Sequence, residues 1–389
     1  MKISLSYVLV TPYTIAKSRT GGVLSRLLSR TTLELVGAQI FAPDKDFACK
    51  YADNLRKRSP QNQVMLLADY VEKNIAPSGG RPHRSLLLLF QGENPCEQLG
   101  SICGHLYTQH IEVDALQGET IRDTYADLIF SEENPENVTY FEPAVLTPRN
   151  QEEANEELIQ IANFLEKTGN IVQNVTYPDP SIIEQTLVII KPDNWMHNSS
   201  RPGTIIDMFS RTGLRIIGIK VHRFTLAEAM DFYGPVEEML IEKLGPGYGM
   251  RAKKILEREF GFTLSEESSK ILMENFGTEC AKDQYAQVVK FMCGKKPGIY
   301  TAKELTETSS VKCMILVYEG EHAIKKIRDV LGPTDPLKAP DGTVRREFGS
   351  NVMVNTAHAS DSVEGYEREK VIVRTYRNSL WTIIREHLG

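Results

Sequence analysis

The sequence predicts an α/β protein of the α+β type, built as two ferredoxin-like βαββαβ halves in tandem. Each half is an antiparallel sheet with helices against it, and the second half carries a helical insertion. Two observations lead to this reading. First, the chain repeats itself. GVLSRLLSRTTLELVG (22–37) aligns without a gap with GTIIDMFSRTGLRIIG (203–218), sharing the terminal glycines, a Ser-Arg-Thr block, and Leu33 with Leu214. Three more blocks recur in the same order: YVLVTPYT (7–14) with LVIIKPDN (187–194), LLLLFQGE (86–93) with MILVYEGE (314–321), and GETIRDTY (118–125) with DGTVRREF (341–348). Similarity that keeps its order in this way marks a duplicated structural unit. Second, apolar runs of strand length alternate with amphipathic stretches of helix length inside each unit.

Taken in order, the first half offers a strand at 6–11, a helix at 22–31 after a glycine, and a strand at 33–41. A helical region follows, then a strand at 85–90, a helix at about 95–104 and a last short strand at about 127–131. The second half repeats this with strands at 186–191, 214–224, 312–318 and 351–356 and helices at 203–212 and 321–331. A helix at 151–166 and the turn-rich stretch NVTYPDPS join the two. The expected domains are therefore 1–150, a helix and linker at 151–183, and 184–389. The insertion falls near 236–283, where YGMRAKKILEREFG and SEESSKILMENFG have helical patterns. A packing or oligomer element and a substrate lid both remain open for it.

Composition narrows the function. The 389 residues are 41% hydrophobic and 25% charged, ordinary values for a globular protein, and the net charge is −6. Such a charge gives no bulk attraction to nucleic acid or to an anionic membrane, so neither is expected as a partner. No apolar run reaches the length of a membrane-spanning helix. The start, MKISLSYVLVTPY, reads as a first strand rather than a signal peptide. Cysteines at 49, 96, 103, 280, 293 and 313 form no CxxC or Cys/His pattern. A reduced, cytoplasmic protein without a protein-built metal site or disulfide framework is expected.

One stretch raises the question of chemistry: VNTAHASDSVEGYERE, 354–369. Ser360, Asp361 and Ser362 suit a helix N-cap, and Glu364, Glu367 and Glu369 suit the first turns that follow. On this stretch alone, His358 reads first as a structural residue of a solvated turn and only second as a nucleophile, since a lone histidine is usually structural.

The second half resembles the nucleoside diphosphate kinase family. The matching blocks are TLVIIKPDN, GLRIIGIKV, VYEGEHAIKKIRDVLGPTDP, PDGTVRREFG and NTAHASDSVEGYERE, within about 185–235 and 285–370. The histidine block and LGPTDP are specific in combination. The resemblance implies a ping-pong transfer of the γ-phosphoryl group from a nucleoside triphosphate such as ATP to a nucleoside diphosphate such as GDP. His358 is then the nucleophile, Glu369 its orienting acid and Ser360 the small hydroxyl beside it. Imidazole suits this role because it is nucleophilic near neutral pH and gives the group up again. Phosphoryl transfer is mainly positioning and electrostatics, and no GxxxxGK[ST] loop is present. The family pattern instead assigns Lys191, Arg328 and Arg345 to the phosphates, with Tyr233 and Thr334 nearby. Asn355 falls on the sugar contact and Val352 on the aliphatic side of the base. Magnesium is implied as a bridge between phosphate oxygens, held by nucleotide and water, with Asp361 the nearest candidate for an indirect contact. By analogy, the two halves form an internal pseudo-dimer or the chain a homo-oligomer.

The sequence departs from the pattern in two places. Ala359 stands where the family has glycine. The aromatic that stacks on the base falls on Gln284, which leaves Tyr285, Phe260 or Phe262 as substitutes. The repeat also allows each site position to be checked in the first half. Thr11 matches Lys191, Gly100 matches Arg328, Leu106 matches Thr334, and Arg122 matches Arg345. The counterpart of His358 falls near Pro135, with no histidine there. The first half thus reads as a degenerate copy with a scaffolding role. Two rival readings stand: a non-catalytic nucleotide-binding or scaffold protein, and a phosphohistidine enzyme with another acceptor.

Overall fold

A computed structural model of the chain describes residues 3–58, 62–106, 118–133 and 138–389. The first half supplies β1 (Ser4–Val10), β2 (Glu34–Phe41), β3 (Ser85–Gly92), β4 (Asp127–Phe130), β5 (Val138–Glu142) and the two-residue β6 (Val145–Leu146). The second supplies β7 (Ile183–Ile190), β8 (Arg215–His222), β9 (Cys313–Glu321) and β10 (Ala357–Ala359). The main sheets run β2-β3-β1-β6 and β10-β7-β9-β8. Read by position within each half, both have the order 2-3-1-4, the ferredoxin-like arrangement expected from the repeat.

The last strand of each half lies elsewhere than the sequence predicts. Residues 127–131 fall in β4, which pairs with β5 in a separate hairpin, and the fourth strand of the first sheet is β6. In the second half the stretch 351–356 is irregular and the strand begins at Ala357. Asn351 explains this shift, because its Oδ1 accepts the amides of Met353 and Val354, both at 2.9 Å. Local capture of this kind competes with a strand ladder.

The first sheet is apolar on both faces, which is why β1 and β3 read as continuous hydrophobic runs. Val8 and Val10 with Leu86, Leu88 and Phe90 join one core, together with helices Thr20–Arg30 and Pro95–Cys103. Leu5, Tyr7 and Leu9 with Leu87 and Leu89 face the other way, alternating at the strand period of two. Helices Lys45–Arg58 and Gln151–Leu165 contribute to that second core. So does Leu380–Leu388, from the far end of the chain, through buried Leu380 and Ile384. Arg385 of this helix pairs with Glu166 at 2.6 Å.

The halves meet through helix Thr20–Arg30 and its repeat counterpart Arg201–Ser210. Val23, Leu24 and Leu27 share one core with Ile205, Ile206 and Phe209. The same surface is used from both sides, as in a self-complementary dimer contact. Glycine makes the approach possible: a Cβ on Gly203 would lie 2.3 Å from the Ser25 nitrogen and 2.4 Å from the Gly21 oxygen. Linker and tail tie the pair further. Val172 N–H donates to the Ile217 carbonyl at 2.8 Å, and Asn378 Nδ2 donates to the Ala38 carbonyl at 2.7 Å. Both sheets accordingly fall in one compact unit of residues 1–221, 314–370 and 374–389.

Residues 222–313 with 371–373 form a second unit, wider than the insertion read from sequence. Its main element is helix Leu226–Phe260, started by a Thr225/Glu228 capping box and stopped at Gly261 with φ 72°. Helix Gly277–Cys293 packs on it where glycine meets glycine; a Cβ on Gly277 would sit 2.1 Å from the Gly245 oxygen.

Two substitutions test this packing. Gly203→Ala forces two helix backbones apart and is expected to cost about 1–3 kcal/mol, as overpacking does. Leu380→Ala, at a site with 0% exposure, should cost about 2–5 kcal/mol. Both are read as lowered urea midpoints. A Gly203→Ala midpoint equal to that of the parent would show that the helices do not approach this closely.

Candidate active site

The site is assembled where β7 ends and β10 begins. The two strands pair antiparallel, with Ala357 opposite Ile190 and His358 opposite Ile189. This register sets His358 beside the end of the strand from which Lys191 emerges. Just before β10, Thr356 adopts φ 75°, a strained conformation for a β-branched residue that costs about 1–3 kcal/mol. Its surroundings hold it there. The Thr356 carbonyl accepts Lys191 N–H at 2.9 Å and Asn194 Nδ2 at 2.8 Å, and its hydroxyl accepts Arg201 Nη2 at 3.0 Å.

The reversal at Thr356 places buried Asn355 at the centre of three elements. Asn355 Oδ1 accepts Lys191 Nζ at 2.6 Å, and its Nδ2 donates to the carbonyls of Thr334 at 3.1 Å and Val352 at 2.8 Å. The side chains of Thr334 and Val352 are exposed. Arg345, buried on the short helix Val344–Phe348, donates to the Gly332 carbonyl at 2.9 Å and the Ala357 carbonyl at 3.0 Å. It thereby pins the loop after helix Ala323–Leu331 to β10. Arg328 is exposed in the last turn of that helix.

His358 Nε2 lies 2.8 Å from Glu369 Oε1. Glu369 is buried, and its other oxygen accepts the Ser360 hydroxyl at 2.6 Å. Ser360 is itself locked to β7: its N–H donates to the Leu187 carbonyl at 3.1 Å, and its Oγ accepts the Leu187 N–H at 3.3 Å. A carboxylate only accepts, so Nε2 carries the proton and the neutral ring has its lone pair on Nδ1. Ala359 pairs with Val188 in the strand and does not take the left-handed conformation that would call for glycine.

Burial and neighbouring charges act on the ionisable groups of the site. Burial, reinforced by the nearby Arg345, pushes the Lys191 ammonium down to about 7, against a smaller opposing pull from Asp193. Burial likewise raises the Asp193 carboxyl, while Arg201 at 3.2 Å and Lys191 pull it back. Asp193, Asn194, Arg201 and Thr356 were not singled out from the sequence. Asp193 and Asn194 stand in KPDN, but nothing local shows that they turn toward the strand before the histidine, and Arg201 and Thr356 lie outside that block.

Tyr233 and Tyr285 belong to the other unit. Tyr233 is buried on helix Leu226–Phe260 with its ring 5.0 Å from that of Phe232. Tyr285 is also buried and gives its hydroxyl to the Met230 carbonyl at 3.1 Å, so it is a core residue of that unit rather than an open stacking face. Phe260 and Phe262 are exposed at 67% and 59%. Among the described residues no three His, Cys, Asp or Glu side chains converge as metal ligands. Asp361 is exposed and accepts the Ser362 hydroxyl at 3.3 Å.

The first half keeps the frame and changes the chemistry. Leu9 pairs with Leu146 and Val10 with Val145, as Ile189 pairs with His358 and Ile190 with Ala357. The counterpart of His358 is therefore Leu146; Pro135 lies outside the described residues. Arg122 donates to the Gly104 and Val145 carbonyls, the same two positions that Arg345 holds. Ala144, at φ 59°, takes the place of Thr356. Where Lys191 would be, Thr11 donates its hydroxyl to Glu142 Oε1 at 2.7 Å, and Tyr70 donates to Glu142 Oε2 at 2.6 Å. Glu157 follows Leu146 at the separation by which Glu369 follows His358, and it accepts the Tyr7 hydroxyl at 2.7 Å.

A family model described as nucleoside diphosphate kinase matches residues 184–240 and 270–375, passing over part of the helical unit. The nucleoside diphosphate kinase of Bdellovibrio bacteriovorus is 30% identical over 187 residues, 48% of this chain and 89% of that protein. The one from Paracoccus denitrificans is 31% identical over 187 residues, 48% of this chain and 90% of that protein. An NDP kinase structure from Pyrobaculum aerophilum aligns at 27% identity over 49% of this chain and 94% of that one. Its TM-score is 0.33, so the fold assignment rests on the strand order described above.

The depressed Lys191 makes a testable statement about protons. Between its shifted value of about 7 and the ordinary lysine value, the folded group is largely neutral. A bound phosphate favours the charged form and draws a proton back. Calorimetry in buffers of different ionisation heat should therefore find uptake approaching about one proton per bound ligand near pH 8 and little near pH 6. Lys191→Met should remove that uptake. Uptake that is the same at both pH values would contradict the shift.

Proposed function

From the premise that the chain belongs to the nucleoside diphosphate kinase family, we propose that its second half transfers the γ-phosphoryl group of a nucleoside triphosphate to a nucleoside diphosphate through His358. The observation that carries this reading is the relay Ser360–Glu369–His358 beside the Lys191–Asn355 pair. Nδ1 attacks the γ-phosphorus as the bond to the bridging oxygen breaks, and the nucleoside diphosphate departs. The proton stays on Nε2, donated to Glu369, whose carboxylate offsets the positive charge of the phosphorylated ring. The acceptor diphosphate then reverses the step.

The remaining residues have supporting roles in this scheme. Lys191 supplies a buried point charge, and Arg328 and Thr334 line the phosphate side from helix Ala323–Leu331 and the loop after it. Arg345 acts on the phosphates through its charge and on His358 by fixing Ala357. Asn355 reaches the sugar, and Val352 borders the base. The donor set is cationic and lacks a carboxylate cage, which suits magnesium arriving on the nucleotide. Such a metal would offset the negative charge of the phosphates. The first half takes a scaffolding role, since Thr11, hydrogen-bonded to buried Glu142, stands where Lys191 would be and Leu146 stands where His358 would be.

Incubation with γ-labelled ATP tests the assignment. The parent protein should take up label that acid removes and base preserves, and GDP should chase it off. His358→Ala should take up none and should show no exchange activity. Residual exchange in that variant would mean that the first half or another residue carries the reaction. Arg345→Ala should lower kcat by about 10²–10³-fold, as losing one charge-stabilising donor does elsewhere.

A further inference from the structure

A cavity of about 310 Å³ opens where the two halves of the larger unit meet, at the lower end of the range for ligand pockets. It shares no residue with the His358 cluster. Ile15 from the first half and Leu214 and Ile216 from the second give it apolar walls. Arg84 and Arg215, again one from each half, also line it.

Arg84 is only 9% exposed. Its Nη1 donates to the Ile216 carbonyl at 2.6 Å, which fixes the plane of the guanidinium. Among the described residues neither Arg84 nor Arg215 makes an ion pair. Glu319 bears on Arg84 electrostatically, but its carboxylate already accepts Gln185 Nε2 at 2.9 Å, the Tyr177 hydroxyl at 3.3 Å and Gln173 Nε2. The neighbouring polar groups are likewise engaged. His83 uses both ring nitrogens on Ser78 and the Asn74 carbonyl, and Asn174 gives its Nδ2 to the Pro82 carbonyl. Burial and the charge of Arg215 lower the Arg84 guanidinium to about 10, with Tyr177 and Glu319 opposing. A guanidinium buried beside a like charge is costly unless an anion compensates it, and Glu319 does so only in part.

We propose that this cavity binds a small phosphate-bearing molecule, its phosphate bridging Arg84 and Arg215 and its body lying against Ile15, Leu214 and Ile216. Guanidinium forks match phosphate oxygens in charge and geometry. A ligand gripped from both halves binds only their joined form and so stabilises it.

Calorimetric titration of the full chain with inorganic phosphate and with phenyl phosphate tests the site. Each of Arg84→Gln and Arg215→Gln should weaken phosphate binding by about tenfold or more, the usual effect of losing a charged hydrogen-bond donor. Exchange activity should stay within about twofold, because neither residue belongs to the His358 cluster. Arg215 is exposed, so its variant keeps the test available if Arg84→Gln fails to fold. Tighter binding of phenyl phosphate supports an organic phosphate that uses the apolar wall; equal affinities support free phosphate. Binding that both variants leave intact, or that only Arg345→Gln removes, would overturn the proposal. So would the absence of any binding that depends on Arg84 or Arg215.

Discussion

A buried guanidinium donating to two main-chain carbonyls holds the edge of each sheet. Arg345 joins the Gly332 and Ala357 carbonyls, and Arg122 joins those of Gly104 and Val145. The strands fixed in this way are very short: β10 spans Ala357–Ala359 and β6 only Val145–Leu146. A ladder of two or three residues gives little grip of its own, so the arginine sets where the strand starts. In the second half the consequence is chemical. The position of Ala357 determines that of His358, and the turn before it brings Asn355 to Lys191. The strain at Thr356 persists because Lys191, Asn194 and Arg201 all hold that residue in place.

Comparison of the halves separates what the frame requires from what the chemistry requires. The paired arginine and the left-handed residue before the last strand occur in both. The position of His358, by contrast, is held by Leu146 in the first half. Its Thr11 hydroxyl meets the buried Glu142 side chain where the second half has the buried Lys191 amine, so an acidic group replaces a basic one. Glu157 remains at the relay position but serves Tyr7 and Arg58 in a buried network. A polar group that has lost its partner must find another or be lost, because leaving it buried and unpaired is costly. The retained Arg122 therefore says nothing about phosphate binding in the first half; its two carbonyl partners account for it.

Much of this was legible in the sequence, for identifiable reasons. Strand order followed from the repeat, because buried strands are continuous apolar runs that recur in register. His358, Glu369 and Ser360 could be found together because they lie close along the chain. Lys191 and Asn355 could be proposed from the family resemblance, but their mutual bond depends on a turn at Thr356 that no local pattern announces. The ends of the sheets were misread where side chains override propensity, as Asn351 does by capturing the next two free amides. Leu146 was missed because a two-residue strand has no periodicity to detect. Tyr285 was read as an open aromatic, yet its hydroxyl is satisfied within its own helical unit. Arg84 and Arg215 carried no signal at all, since their meeting depends on how the two halves pack.

The outer face of the first sheet is completed by the Leu380–Leu388 helix. During synthesis, then, β1 and β3 leave the ribosome long before the segment that covers them exists. Helices Lys45–Arg58 and Gln151–Leu165 can cover part of that face early, but the strip beneath Leu380 and Ile384 stays open until they are made, and contacts of such long sequence separation form late and slowly. Exposed strands at this stage favour association with other chains over closure. The sheet made first is thus covered in part by a segment made much later, and its strip under Leu380 and Ile384 stays open to other chains until that helix arrives.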